Sequence, residues 1–163
     1  MPPLARAAYR TRQVAHALNP RVVHTDLEWA RQVLSAAEAR LFFEMHKRDQ
    51  RHALEVARRL RDQAIDDLDL LKAALLHDCG KGDVPVWLRI VKVLHPHFVR
   101  SAGDETSGGW RGAAYRLTHH PEIGAHRVLH AGAGETVSAL IRGHVHPDDA
   151  DRLALLIAAD DAS

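Results

Sequence analysis

Apolar residues in this chain recur three and four positions apart, as at Leu70, Ala73 and Ala74 or at Val137, Leu140 and Ile141, and the alternating pattern of a half-buried strand is essentially absent. That periodicity confines the chain to helices that share a core. Aromatic residues make up only 5% of the 163 residues while Ala and Leu abound, so the core is expected to come from aliphatic helix faces. The length suits one domain with a real core and is short for two. We therefore expect an all-α, single-domain helical bundle over residues 25–163, preceded by an N-terminal appendage, residues 1–24, whose role the sequence leaves open. There is no internal repeat and no low-complexity linker.

Local signals divide the bundle into helices. Thr25 with Glu28, and Ser35 with Glu38, have the spacing of capping boxes and predict two helix starts. Further helices are expected over 50–62 and 67–78, the second ended by Gly80. Between Asp83 and His97, Trp87, Ile90, Val91 and Leu94 recur at helical spacing and predict an amphipathic helix. Residues 101–109 read as a mobile polar loop. Three helices should follow: one opening at His120 and Pro121 and ending near Gly132, one over 135–144 and one over 148–161.

Lys and Arg total 22 against 21 for Asp and Glu, a formal charge of +1, so no global attraction to long nucleic acid or to a membrane is expected. The lone cysteine, Cys79, precludes an intramolecular disulfide and suits a reducing compartment. No stretch approaches the roughly 20 apolar residues of a membrane span, and no secretion signal is evident, so the expected location is cytoplasmic. The 13 histidines are an unusual number. Most must be solvated surface groups, because no single site uses so many.

The ones that differ lie on apolar helix faces. His52 heads a stripe with Val56 and Leu60; His77 closes one made by Leu70, Ala73 and Ala74, on a helix apolar enough to be central. His144 continues Val137, Leu140 and Ile141, and Asp160 continues Leu153, Leu156 and Ile157. Any one of these could be a core histidine bonded to a carbonyl, or a capping carboxylate. Four helices aiming such groups inward, with Asp78 beside His77, instead call for a shared partner, because buried unpaired charges are expensive. A divalent cation serves neutral imidazole and ionised carboxylate together.

The segment Ala74-Leu75-Leu76-His77-Asp78-Cys79-Gly80-Lys81 resembles the signature of the HD superfamily of metal-dependent phosphohydrolases. In that family an earlier His, the His-Asp doublet and a late Asp bind metal across a helical bundle. Asp49-Gln50-Arg51-His52 is similar to the region of the first His, and Ile157-Ala158-Ala159-Asp160 to that of the last Asp. His120-Pro121-Glu122-Ile123-Gly124-Ala125 resembles the His-Pro-x-x-Gly-Ala element of the HD-GYP and related branches, in which this His and a later histidine pair help hold a second metal. Ile141-Arg142-Gly143-His144 resembles the position of that pair. Its second histidine is here Val145, with His146 displaced by one, and the Gly-Tyr-Pro motif is missing. His119 competes with His120, which is preferred because it directly precedes the proline.

The resemblance implies that His52, His77, Asp78 and Asp160 hold one divalent ion (Fe, Mn, Co or Ni, with Mg also possible), and that His120 and His144 complete a second site bridged by Asp78. Metal-activated water would then attack a phosphodiester or phosphomonoester, of nucleotide type, with Asp78 and Lys81 as the catalytic pair. Lys81 would neutralise a phosphate oxygen, its alternative being a solvated lysine beyond Gly80. Arg111 and Arg116 are further candidates for phosphate contacts, and Cys79 reads as a small buried filler. Other readings of the same residues are a non-catalytic nucleotide-binding or signalling module and a two-iron oxygenase.

Overall fold

The computed structural model describes residues 24–163, so the proposed appendage lies, up to residue 23, outside the described residues. The elements are α1 (His24–Val33), α2 (Ala36–Glu44), α3 (Lys47–Asp62), α4 (Leu68–Leu76), α5 (Val86–Leu94), α6 (Pro96–Ser101), α7 (Gly109–His130), α8 (Glu135–Arg142), a 3₁₀ turn (Pro147–Asp149) and α9 (Ala150–Asp161). Among the described residues there is no strand and no helix long and apolar enough to cross a membrane.

Helix starts follow their local chemistry. The capping box of α2 is formed in full: Ser35 Oγ accepts from the Glu38 N–H at 3.3 Å, and Glu38 Oε2 accepts from the Ser35 N–H at 2.7 Å. Asp67 Oδ1 caps α4 by accepting from the Leu70 N–H at 3.1 Å. Thr25 does not mark a start, because α1 is already helical at His24.

The most apolar helix is the central one. Leu70, Leu71, Ala73, Ala74, Leu75 and Leu76 of α4 are all buried, and α1, α2, α3, α8 and α9 pack around it. A smaller cluster of Val84, Leu88, Val99, Ala113, Ala114 and Leu117 sits under α5, α6 and the first half of α7.

The expected amphipathic helix is α5, but most of its apolar stripe does not face the core. Trp87, Ile90 and Leu94 are exposed and Val91 is partly buried, whereas Leu88 is fully buried. The reason lies next to Leu88. Arg89 turns inward and grips the buried Asp49 carboxylate of α3 with both arms, at 2.9 and 2.7 Å. The face carrying Leu88, Arg89 and Lys92 therefore points in, and the more apolar face points out. Outside, Trp87 and Phe98 each lie against Trp110, with ring centroids 6.0 and 6.3 Å away.

Two further expectations shift. The expected loop is non-helical over residues 102–108, but just before it Pro96 opens an unforeseen helix, α6, which runs to Ser101. The helix expected to open at His120 begins at Gly109 and bends where His119 leaves helical geometry. Pro121 still stands at the first turn of the second half, and its missing N–H is the cause of the bend.

Candidate metal centre

Four elements bring the predicted groups together. His52 comes from α3, His77 and Asp78 from the turn that ends α4, His120 from the bend of α7, and Asp160 from α9. The close approach of α7 depends on two glycines. A Cβ on Gly80 would lie 2.1 Å from the His120 carbonyl oxygen and 2.7 Å from the Gly124 nitrogen, so the turn and the helix meet backbone to backbone.

The histidines are oriented from behind. The His77 Nδ1–H donates to the Ala74 carbonyl at 2.9 Å, and the His120 Nδ1–H donates to the Leu117 carbonyl at 3.2 Å. A carbonyl can only accept, so each ring carries its proton on Nδ1 and turns the lone pair of Nε2 forward. Those lone pairs face more lone pairs. His77 Nε2 lies 3.4 Å from Asp78 Oδ1 and 3.7 Å from Asp160 Oδ1, and His120 Nε2 lies 3.7 Å from the same Asp78 oxygen. The exception is His52, whose Nε2–H donates to Asp160 Oδ1 at 2.7 Å.

Both His77 Nε2 and Asp78 Oδ1 are buried and, among the described residues, lack a hydrogen-bond partner. Acceptors turned on one another in a dry place repel unless a positive charge lies between them. One donor atom each from His52, His77 and Asp78 falls within 4.8 Å of the others, a spacing that fits a single cation. The donors and their orphaned atoms thus fit the divalent ion that this kind of site implies.

Charge is distributed to suit. Burial resists ionisation of Asp78, but the neighbouring His77 and Lys81, the Lys81 hydrogen bond and His120 outweigh it and hold the carboxyl well below its usual range. Lys81 Nζ binds the other oxygen, Oδ2, at 2.5 Å, leaving Oδ1 for the shared space. His120 is pushed down to about 4 by burial and by Lys81, so it is a neutral imidazole near pH 7. The Asp160 carboxyl is lowered chiefly by its contact with His52.

Not every predicted residue joins the group. The expectation that His144 faces the interior is corrected: α8 ends at Arg142, Gly143 takes a left-handed turn with φ of 77°, and His144 is exposed. The helical phase that aimed it inward stops two residues too soon. His119 packs against Tyr115 with ring centroids 4.3 Å apart, and exposed His146 caps the 3₁₀ turn. Exposed Arg111 lies over the Trp110 ring. Arg116 donates to the carbonyls of Lys81 and Asp83, at 3.3 and 3.1 Å, and so braces the turn that carries Lys81. Burial pushes the Cys79 thiol up to about 12, which keeps it protonated, in accord with a filler role.

The stripe containing Asp160 is also reshaped. Leu156 and Ala159 are buried on α9, while Ile157 is exposed. Two supporting residues escaped the sequence reading. Arg127 donates to the Cys79 carbonyl at 2.6 Å and also holds Glu44. Lys92 donates to the Leu117 carbonyl at 2.8 Å. Only Pro121 hinted at the second, because a proline frees the carbonyl four residues before it.

A family model described as HD domain matches residues 50–162. This chain belongs to the HD-domain family. The matched stretch begins just before His52 and ends just after Asp160, so it encloses the whole donor set. A search of curated proteins and a search of solved structures returned no match. HD domains are in general metal-dependent hydrolases of phosphorylated substrates, and here His52, His77 and Asp78 form the candidate metal site.

Proposed function

We propose that this HD-domain protein is a phosphohydrolase that cleaves a small phosphate ester, of nucleotide type, at a divalent metal held by His52, His77, Asp78 and Asp160. The observation that carries the reading is the buried, unsatisfied pair His77 Nε2 and Asp78 Oδ1. A structural core would have given those atoms donors. Here they are left for a cation, and Fe, Mn, Co or Ni suit the mixed nitrogen and oxygen set, with Mg as a further candidate. When bound, such an ion supplies Lewis acidity, lowering the pKa of water and polarising a phosphoryl oxygen.

The protein's own groups do the rest. Lys81, held on Asp78 Oδ2, keeps an ammonium beside the reacting phosphoryl group. The Ala74 and Leu117 carbonyls fix the imidazoles of His77 and His120 in the ligating tautomer. His120 reaches Asp78 from the other side and would serve a second ion bridged by that carboxylate. His144 has no part in this arrangement as it stands. The His-Pro-x-x-Gly-Ala element supports kinship with the HD-GYP-related branch, without its Gly-Tyr-Pro motif. We further propose that residues 25–163 form the working domain with 1–24 appended to it, and that a cytoplasmic setting suits the buried thiol.

The test is elemental analysis of the full chain purified without chelator, with assays on p-nitrophenyl phosphate and bis(p-nitrophenyl) phosphate. One or two ions per chain and metal-dependent turnover are expected. Asp78→Ala should lose turnover by more than the roughly 100-fold that loss of an outer-shell partner already causes. Protein that stays metal-free when offered Mn, Fe and Co, or full activity in Asp78→Ala, overturns the reading.

A further inference from the structure

Lys92 has no place among the donors of the metal centre, yet its ammonium shares an acceptor with one of them. Its Nζ and the His120 Nδ1 donate to one oxygen, the Leu117 carbonyl, at 2.8 and 3.2 Å. Leu117 can accept both because Pro121, four residues on, has no N–H to offer it. The bend in α7 thus sets an α5 lysine on the Nδ1 side of the ring whose Nε2 faces Asp78.

This cation is poorly matched. It is half-buried and, among the described residues, has no carboxylate partner. Its nearest charged neighbours include another cation: burial first, and then Lys81, lower its affinity for a proton, while Asp78 acts in the opposite sense. Arg89, one turn before it on α5, is neutralised by Asp49, and Arg116 is bound to the carbonyls of the Lys81 turn. Two lysines from different elements near one buried carboxylate raise the free energy unless an anion joins them.

Charge identifies that anion. The carboxylates of Asp78 and Asp160, set against one divalent ion and the ammoniums of Lys81 and Lys92, leave two positive charges. A phosphomonoester above its second ionisation, near pH 6, carries about two negative charges, whereas a diester carries one. Resting on the phosphohydrolase reading above, we propose that Lys92 and Lys81 form a two-lysine cradle for a doubly charged terminal phosphate, so that the centre prefers phosphomonoesters to phosphodiesters. Lysine suits this task, since a compact ammonium on a flexible stem can leave the Leu117 carbonyl for a phosphate oxygen.

The experiment measures calorimetric binding of inorganic phosphate at pH 8 to metal-loaded full-length protein, in the wild type and in Lys92→Met, Lys92→Gln and Lys92→Arg, with metal content and thermal unfolding recorded for each. Loss of at least tenfold in phosphate affinity is expected for folded Lys92→Met or Lys92→Gln at unchanged metal content, with Lys92→Arg within about threefold of wild type. In turnover, the wild type should show a higher kcat/KM for p-nitrophenyl phosphate than for its diester. Folded Met and Gln variants that bind phosphate as the wild type does overturn the cradle, as does a wild-type preference for the diester. The two readings separate cleanly: phosphate binding that depends on Lys92, in protein that hydrolyses neither ester, leaves the cradle standing and removes the hydrolase.

Discussion

His120 carries a consequence for pH that can be worked out from its surroundings. Burial and the nearby Lys81 bring its pKa from the ordinary 6.5 to about 4. Between those values the unfolded chain binds a proton that the folded chain refuses, so stability is full above about pH 6.5 and falls as the pH drops toward 4. Urea unfolding of metal-free protein across that range should lose roughly 1.4 kcal/mol per pH unit from this group. His120→Asn, whose amide can still donate to the Leu117 carbonyl, should flatten the slope, and an unaltered slope would assign the effect to other groups. Asp78 acts lower and with the usual carboxylate sign: its contribution is present above its ordinary 3.8 and is lost as the pH falls toward its depressed value. The residue types at this centre were legible as polar interruptions of apolar stripes. Their tautomers were not, because these depend on which carbonyl lies behind each ring.

Between elements, the contact of the Gly80 turn with α7 decides the geometry of the centre. An alanine at Gly80 would overlap two backbone atoms that cannot move independently, so Gly80→Ala should destabilise by about 3 kcal/mol or more in urea unfolding. At Gly124 a Cβ meets the Ile141 side chain at 3.3 Å, with Cys79 Sγ and the Gly80 backbone nitrogen both at an ordinary 3.5 Å, and the same substitution should cost about 1 kcal/mol. Similar losses at both sites would contradict the difference between overlap with backbone and near-ordinary contact. Helix α5 offers a second comparison. Leu88→Ala should cost about 2–5 kcal/mol and Ile90→Gln less than about 0.5, because Leu88 is buried and Ile90 exposed. The apolar period announced the helix and left its orientation open, since a hydrophobic stripe says nothing of a buried carboxylate on another helix waiting for Arg89.

For the molecule as a whole, that ion pair joins two cores. The larger cluster surrounds α4, the smaller one lies beneath α5 and α6, and Asp49–Arg89 ties α3 of the first to α5 of the second. Removing one partner leaves a buried charge unmatched, so Arg89→Met should cost about 3–5 kcal/mol. Hydrogen exchange should locate the effect, with amides of α5 and α6 losing protection before those of α4. Equal loss throughout would mean that the two clusters unfold as one unit.

The order of the donors along the chain, the helical class and the central place of α4 were fixed by spacing and composition, because a period of three to four and an absence of alternation leave few alternatives. Helix ends and facing directions were decided in three dimensions. Gly143 ends α8 before His144 can turn inward, Pro121 bends α7 and frees one carbonyl for both His120 and Lys92, and Asp49 draws the polar face of α5 inside. Gly143 and Pro121 act locally, but the Lys92–Leu117 and Arg89–Asp49 contacts join residues far apart in sequence, and no local pattern encodes where such a partner will lie.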